Sequence, residues 1–349
     1  MTKYFFVTAI VMLITLGDMA IASAQPSVQN GFLNNRATET LSTEPITLET
    51  PTATLYGTLT WPQSRSRVPV VLIIAGSGPT DRDGNSPLLK GSNNSLKLLA
   101  EGLAAHGIAS VRYDKRGIGE TGKAMQLAAE KTKRVLREED LSFENFIDDA
   151  VWWCKQLRAD RRFSSLTVLG HSEGSLIGMV AAHRTGAQAF VSVAGAGRPV
   201  RQIILEQVRA HLTAELLKTT ENILGKLAEG KTVESVPADL NFLFRPSVQP
   251  YLISWLRYDP AKEISELRIP VLIVQGTTDI QAQLTDARGL AERNPKATLL
   301  LIDGMNHVLK TVVNEMDKQI SSYSDPALPV APELVSAISK FVNRVRDGD

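Results

Sequence analysis

Residues 166–182 read LTVLGHSEGSLIGMVAA. Leu166, Val168 and Leu169 make a short apolar run, Gly170-His171-Ser172-Glu173-Gly174 interrupts it, and Leu176, Ile177, Gly178, Val180 and Ala181 resume it with small residues. That order is a strand, a sharp turn with a serine at its apex, and a helix. A serine held at a strained turn brings its two-away neighbours against the strand and helix backbones, so Gly170 and Gly174 are needed on steric grounds. The bare G-x-S-x-G pattern arises by chance in roughly one chain in ten of this length. The strand before it, the helix after it and Gly178, where the helix must lie close to a sheet, mark Ser172 as an activated nucleophile rather than an ordinary turn serine.

On the N-terminal side, residues 68–75 (VPVVLIIA) are an almost unbroken apolar run, as in a strand covered on both faces. The run ends in Gly76-Ser77-Gly78-Pro79-Thr80-Asp81-Arg82-Asp83-Gly84, where small residues let backbone N–H groups face a ligand. Residues 46–50 and 53–60, with Pro51-Thr52 between them, alternate as an antiparallel pair at a sheet edge. Leu96, Leu99, Ala100 and Leu103 recur at helical spacing up to Gly107, and residues 108–113 form the next strand. Residues 125–140 are a charged, mixed segment over the surface. Phe143, Phe146, Ile147, Ala150, Val151, Cys154 and Leu157 then mark an amphipathic helix.

Beyond the serine, strands are expected at 189–193, 269–275 and 298–302, a helix at 282–293, and a last helix carrying Leu334, Ile338, Phe341, Val342 and Val345. From 198 to 267 the strand pattern gives way to helix-like sequence broken by Pro237, Pro246 and Pro250, longer than a simple crossover needs. The fold class is therefore α/β, a mostly parallel sheet with helices on both faces, with residues 44–197 and 268–349 as its core and 198–267 as an inserted helical cap. Residues 25–43 read as a polar lead-in. In residues 1–24, Lys3, the apolar run 4–16 and Ala22-Ser23-Ala24 form a signal peptide, which implies export to the periplasm or beyond. That run is short, and soon followed by Asp18, for a membrane span, and a retained N-terminal anchor is the alternative reading.

The net charge of +1 and the lack of a basic block argue against nucleic acid as a partner. None of His106, His171, His183, His211 and His307 pairs with another histidine or a cysteine at zinc spacing, so no metal is expected. Cys154 is the only cysteine, which rules out an internal disulfide and suits a buried thiol. Gly117 to Gly122 match the dinucleotide fingerprint G-x-G-x-x-G, but the match starts well after the strand and opens no clear helix, so no nucleotide cofactor is expected.

A serine hydroxyl needs a base to take its proton and a third group to orient that base. His307, five residues past the last strand in Asp303-Gly304-Met305-Asn306-His307, sits on a short loop able to swing it over the sheet edge. His106 and His183 lie near helix ends, and His171 is too close in sequence to face the serine. Asp279 follows the strand that ends at Gln275 and is the leading candidate to orient the imidazole, with Asp286 and Asp303 as fallbacks.

The serine turn Gly170 to Gly174, then Asp279, then His307 come in the chain order Ser, Asp, His, and this resembles the α/β-hydrolase superfamily. Asp114-Lys115-Arg116-Gly117-Ile118-Gly119 is similar to that superfamily's D-x-R-G-x-G turn, which accounts for the dinucleotide match. The resemblance covers residues 46–345 and is nearest to exported esterases and serine aminopeptidase-like hydrolases with a GSGPxDRDG segment. It implies two backbone oxyanion donors, Glu173 and either Ser77 or its neighbour Gly78, since Ala75-Gly76 stand where many relatives have His-Gly. The expected activity is a cofactor-free serine hydrolase acting on a small-molecule ester through an acyl-enzyme. A peptidase releasing N-terminal residues is the alternative, and it would need a cap carboxylate such as Glu206, Glu215 or Glu221 to hold the substrate amine. A non-catalytic binding protein is the other class, but such proteins usually lose a triad member and all three are present.

Overall fold

The computed structural model describes residues 41–64, 66–132 and 137–347. The signal peptide read in residues 1–24, and the lead-in up to residue 40, lie outside the described residues. Strands β1 (Leu41–Glu49), β2 (Thr54–Pro62), β3 (Val68–Ile74), β4 (Ala109–Tyr113), β5 (Phe163–His171), β6 (Ala189–Val193), β7 (Val271–Gly276) and β8 (Thr298–Ile302) form one eight-stranded sheet in the order β1-β2-β4-β3-β5-β6-β7-β8. Pairing is antiparallel from β1 through β2 to β4 and parallel from β4 to β8. The expected α/β class with a mostly parallel sheet is therefore present, and the antiparallel pair lies at its edge.

One boundary shifts. β1 begins at Leu41, so residues 41–43 of the polar lead-in are strand, with Ser42 opposite Trp61 and Thr43 opposite Thr60. An edge strand takes its length from the partner it pairs with, and its own polar residues face water.

The helices are α1 (Ser95–Ala104), α2 (Gly119–Thr132), α3 (Phe143–Ala159), α4 (Glu173–Thr185), α5 (Val200–Arg209), α6 (Ala214–Ala228), α7 (Asn241–Phe244), α8 (Gln249–Trp255), α9 (Pro260–Glu266), α10 (Leu284–Arg293), α11 (Met316–Ser322) and α12 (Pro332–Asp347). Side chains of β3 alternate between two cores, as a period of two requires. Val70, Leu72 and Ile74 join Phe143, Trp153 and Phe190 on one face, while Val71 and Ile73 join Leu99, Leu334 and Ile338 on the other. Between β6 and β7 the described chain is helical, as expected. Its buried residues Ile204, Leu224, Phe244 and Tyr251 belong to the same core as Leu72 and Ile74, so this segment packs as an extension of one sheet face.

A second difference concerns α2. The sequence shows no clear helix opening at the glycine-rich fingerprint, yet α2 starts at Gly119 within it. Its N-terminus is met by the Asp114 carboxylate, which accepts from the Glu120 N–H at 2.8 Å. A carboxylate of the chain itself thus occupies the place where a dinucleotide site would put a phosphate. Helix α3 has the capping its sequence encodes: Ser142 Oγ accepts from Asn145 N at 3.3 Å and Asn145 Oδ1 accepts from Ser142 N at 2.8 Å. Cys154 is fully buried, and burial pushes its thiol up to about 12, so it is an inert packing group.

The turn between β5 and α4 leaves no room for a side chain two residues to either side of the serine. A Cβ on Gly174 would stand 2.3 Å from the Ile74 carbonyl oxygen, and one on Gly170 would stand 2.1 Å from the Gly174 oxygen. Both obstacles are backbone, one at the end of β3 and the other in the first turn of α4, and neither can yield. Gly225, inside α6, has nothing within 4 Å of such a Cβ. Gly174→Ala is therefore expected to give no stably folded protein, whereas Gly225→Ala gains up to about 1 kcal/mol from helix propensity. Urea unfolding of the two variants beside the parent checks this, and a Gly174→Ala protein of parental stability would contradict the packing argument.

Candidate active site

Ser172 joins β5 to α4 with φ 55° and ψ −122°, a conformation that L-residues avoid. It is held there because Ser172 N donates to the Val193 carbonyl of β6 at 3.0 Å and the glycines on either side allow no other path. The strain lifts the hydroxyl out of the sheet at the carboxyl ends of the parallel strands.

Asp279 lies three residues past the end of β7, with its side chain 1% exposed. Its Oδ1 accepts from the N–H groups of Gln281 at 2.8 Å and Ala282 at 2.9 Å, and its Oδ2 accepts from Gln275 Nε2 at 3.1 Å. His307 Nδ1 completes the set, 2.9 Å from Oδ2 and 3.1 Å from Oδ1. Burial by itself would raise this carboxyl, but the adjacent His307 and the two backbone donors outweigh it and hold it below the usual carboxylate range. With Nδ1 bound to the carboxylate, Nε2 is the ring nitrogen turned to other work. Ser172 and His307 line the same two depressions.

The other titratable candidates are engaged elsewhere. Asp286 caps α10 through Gln283 N and pairs with Arg198, whose Nε lies 2.8 Å from its Oδ1. Asp303 accepts from Thr277 Oγ1 at 2.9 Å. His106, His183 and His211 are exposed. Among the described residues no group of three or more His, Cys, Asp and Glu is placed to hold a metal ion, and no helix is long and apolar enough to cross a membrane.

The His307 loop differs from its expected character. A free swing is blocked because Thr278 Oγ1 donates to Gly304 O at 2.8 Å, Asn306 N donates to Lys310 O at 2.9 Å, and Asn306 Nδ2 donates to Ser322 Oγ at 2.7 Å. His171, set aside as a base, has a part here that its sequence position hides. Its Nε2 lies 2.9 Å from the His307 carbonyl oxygen, and its ring packs 4.9 Å from the His307 ring. The histidine beside Ser172 thus anchors the backbone of His307.

Glu173 and Ser77 flank Ser172. Glu173 is the first residue of α4, so its N–H has no helical carbonyl to bind. Ser77 lines both depressions, whereas Gly78, with φ 72°, lines only one. The turn after β4 carries residues that the sequence reading used only as a motif. Asp114, Lys115 and Arg116 are consecutive, charged and buried, and each meets an opposite charge: Arg82 at 3.0 Å, Glu173 at 3.2 Å and Asp149 at 2.6 Å. The signal that could have exposed Lys115 is its place between two motif residues that must both turn inward.

The depressions differ in lining. One is walled by Gly76, Gly78, Leu88 and Val308, and the other by Val200, Ile203, Trp255 and Ala282. Arg198, also in the second, is neutralised by Asp286 and Glu206.

The sequence profile of the family described as "Serine aminopeptidase, S33" matches residues 91–315. Esterase EstD of Thermotoga maritima is 29% identical over 259 residues, 73% of this chain and 58% of that protein, so the chain spans little more than half of that relative's length. Among solved structures, Est1E from Butyrivibrio proteoclasticus with bound ferulic acid superposes with a TM-score of 0.57 at 18% identity, covering 87% of this chain and all (100%) of that one. A proline iminopeptidase from Mycobacterium smegmatis superposes with a TM-score of 0.53 at 14% identity, covering 87% and 99% of the two chains. At such identities these two structures show a shared fold, that of the α/β hydrolases.

Burial, reinforced by the neighbouring His307, pushes the His171 imidazole down to about 3. The unfolded chain binds that proton near pH 6.5 while the native state refuses it, so stability is expected to fall as pH drops from about 6.5 towards 3. Asp279 acts in the same direction at the acid end, since its folded carboxyl titrates below the unfolded value. His171→Gln keeps a donor near the His307 carbonyl but removes the titration, so its urea midpoint should decline less between pH 7 and 4.5 than the parent's. Parallel declines would exclude His171 as a source of the acid sensitivity.

Proposed function

This chain belongs to the serine aminopeptidase S33 family, and from that premise we propose that it is a serine hydrolase cleaving carboxylic esters through an acyl-enzyme. The observation that carries the reading is the Asp279–His307 pair opening onto the same two depressions as the strained Ser172. Nothing beyond side chains of the chain, two backbone N–H groups and water is called upon.

In this reading Ser172 Oγ bonds to the ester carbonyl carbon as His307 Nε2 takes the hydroxyl proton, and the carbonyl π electrons move onto oxygen. Glu173 N–H and Ser77 N–H bind that oxyanion. The carbonyl reforms, the carbon–alkoxy bond breaks, and His307 returns its proton to the departing alkoxide. A water deprotonated by the same imidazole then cleaves the acyl-enzyme and restores Ser172. Asp279 remains ionised throughout and stabilises the transient imidazolium, a role that suits its depressed carboxyl.

Ester is favoured over N-terminal peptide by the lining of the depressions. Their acidic residues are Glu173 and Asp286, and both are already paired, with Lys115 and Arg198. Of the carboxylates considered for an amine, Glu206 is held by Arg198 and accepts from Gln283 Nε2 at 2.7 Å, while Glu215 and Glu221 are exposed on α6 away from either lining. An α-amino group would find no unpaired partner. The helical segment from α5 to α9 serves as a cap that supplies Trp255, Val200 and Ile203 to one wall. Export through residues 1–24 completes the reading, and the mass of the protein recovered from the native cell should correspond to a start at Gln25.

A fluorophosphonate probe is expected to label the parent at Ser172 and to leave Ser172→Ala unlabelled. Asp279→Asn should lower kcat by about ten-thousandfold, as loss of the orienting carboxylate does in triads generally. Short-chain nitrophenyl esters assayed beside aminoacyl amides decide the substrate class. Turnover of the amides alone would replace the esterase reading with the aminopeptidase one, and an unlabelled but folded parent would leave a binding protein.

A further inference from the structure

We propose that Lys115, Glu173 and Tyr251 form a buried positioning relay that aims both oxyanion donors and makes their aim depend on the seating of the helical segment between β6 and β7. The proposal deepens the hydrolase reading and rests on it.

Lys115 Nζ donates to the Gly76 carbonyl at 2.5 Å and lies 3.2 Å from Glu173 Oε1, while Tyr251 Oη donates to Glu173 Oε2 at 2.9 Å. The Lys115 and Glu173 side chains are 3% and 2% exposed, and Tyr251 is fully buried. Taking a lysine and a glutamate out of water is costly, so a pair placed directly behind the nucleophile calls for a reason beyond stability.

Peptide geometry supplies one. The Gly76 carbonyl and the Ser77 N–H belong to a single peptide plane, and in a trans peptide they point in opposite directions. The described chain contains no cis peptide. An ammonium gripping the Gly76 oxygen therefore turns the Ser77 N–H away from Lys115, and Ser77 lines both depressions beside Ser172. The charge-assisted bond also polarises that peptide, which makes its N–H a stronger donor. Glu173 contributes the other donor from its own backbone, and its carboxylate is tied at both oxygens, so the first residue of α4 cannot rotate. The same cation thus fixes one donor through a carbonyl and the other through a side chain.

Tyr251 extends the relay to α8. Its ring packs against Phe143 and Phe146 of α3 at centroid distances of 6.0 and 5.7 Å, and Lys115 Nζ lies 5.5 Å from the Phe146 ring centre. Trp255, one turn further along α8, forms part of a depression wall. A displacement of α8 would move a substrate wall and withdraw the Tyr251 hydroxyl from Glu173 together. Charge balance gives the relay a signature. Loss of Lys115 leaves the Glu173 carboxylate without a counter-charge behind the site where an oxyanion forms, so neutralising both residues should do less harm than removing the lysine alone.

The test uses the full chain, with kcat and KM on p-nitrophenyl acetate, the rate of Ser172 phosphonylation by a fluorophosphonate, and the melting temperature of each variant. Tyr251→Phe is expected to lower kcat and the phosphonylation rate about tenfold, with KM within about twofold and little change in melting. Lys115→Met should cost about a hundredfold or more in kcat, and adding Glu173→Gln should recover at least about fivefold of it. If Lys115→Met does not fold, Tyr251→Phe and the double variant carry the test. Parental kcat in Tyr251→Phe, no recovery in the double variant, or kcat losses matched by rises in KM or by losses of melting temperature would overturn the relay while leaving the hydrolase reading intact. A parent that neither reacts with the probe nor cleaves the ester would overturn the hydrolase reading, and the relay with it.

Discussion

The backbone contact at the serine turn is the constraint on which the remaining geometry depends. Gly174 lies against the carbonyls of Ile74 and Ala75, and Gly170 lies against Gly174. Through these contacts β3, β5 and the first turn of α4 are locked at a separation that no side chain can share. Gly76 then comes to rest beside Ser172, close enough that a Cβ there would be 3.1 Å from the serine Cβ. Ser172 and the loop after β3 are thus positioned by one close packing of main chain on main chain. The strained dihedral at Ser172 persists because the surrounding sheet determines it several times over.

Around this contact, charge is used for direction more than for stability. Asp114, Lys115 and Arg116 leave β4 in succession and turn to three different elements. Asp114 accepts from Arg82 N at 2.9 Å and so binds the loop after β3. Lys115 reaches Gly76 and α4. Arg116 grips Asp149 of α3 with Nε at 2.7 Å and Nη2 at 2.6 Å, and its Nη1 donates to Thr52 Oγ1 at 2.8 Å in the edge hairpin. Buried ion pairs of this kind return little net stability once desolvation is counted, but their bonds have fixed directions. A turn made of apolar residues could fill the same space without telling the loop after β3 which way to face.

His307 is held in the same manner. Its loop is bound by Thr278, Lys310 and Ser322, and His171 takes hold of its carbonyl from the opposite side. Asp279 is shaped by two backbone N–H groups and Gln275, so the carboxylate is fixed before the imidazole reaches it. Every group facing Ser172 is thereby placed by a neighbour that does not itself face it.

The strand, turn and helix at 166–182, the apolar run of β3 and the order of Ser172, Asp279 and His307 could all be read from the chain. Each depends on period, local sterics or the chemistry of a single residue type, and these are properties of neighbours in sequence. The start of β1 at Leu41 and the tethered state of the His307 loop could not, because they depend on Pro62 and Ser322, which other segments bring to them. Lys115, Tyr251 and His171 meet partners that come from other elements. Periodicity tells which face of an element turns inward. Only the packing of elements decides which buried charge meets which, because burial cost is balanced by partners that the chain brings together when it folds.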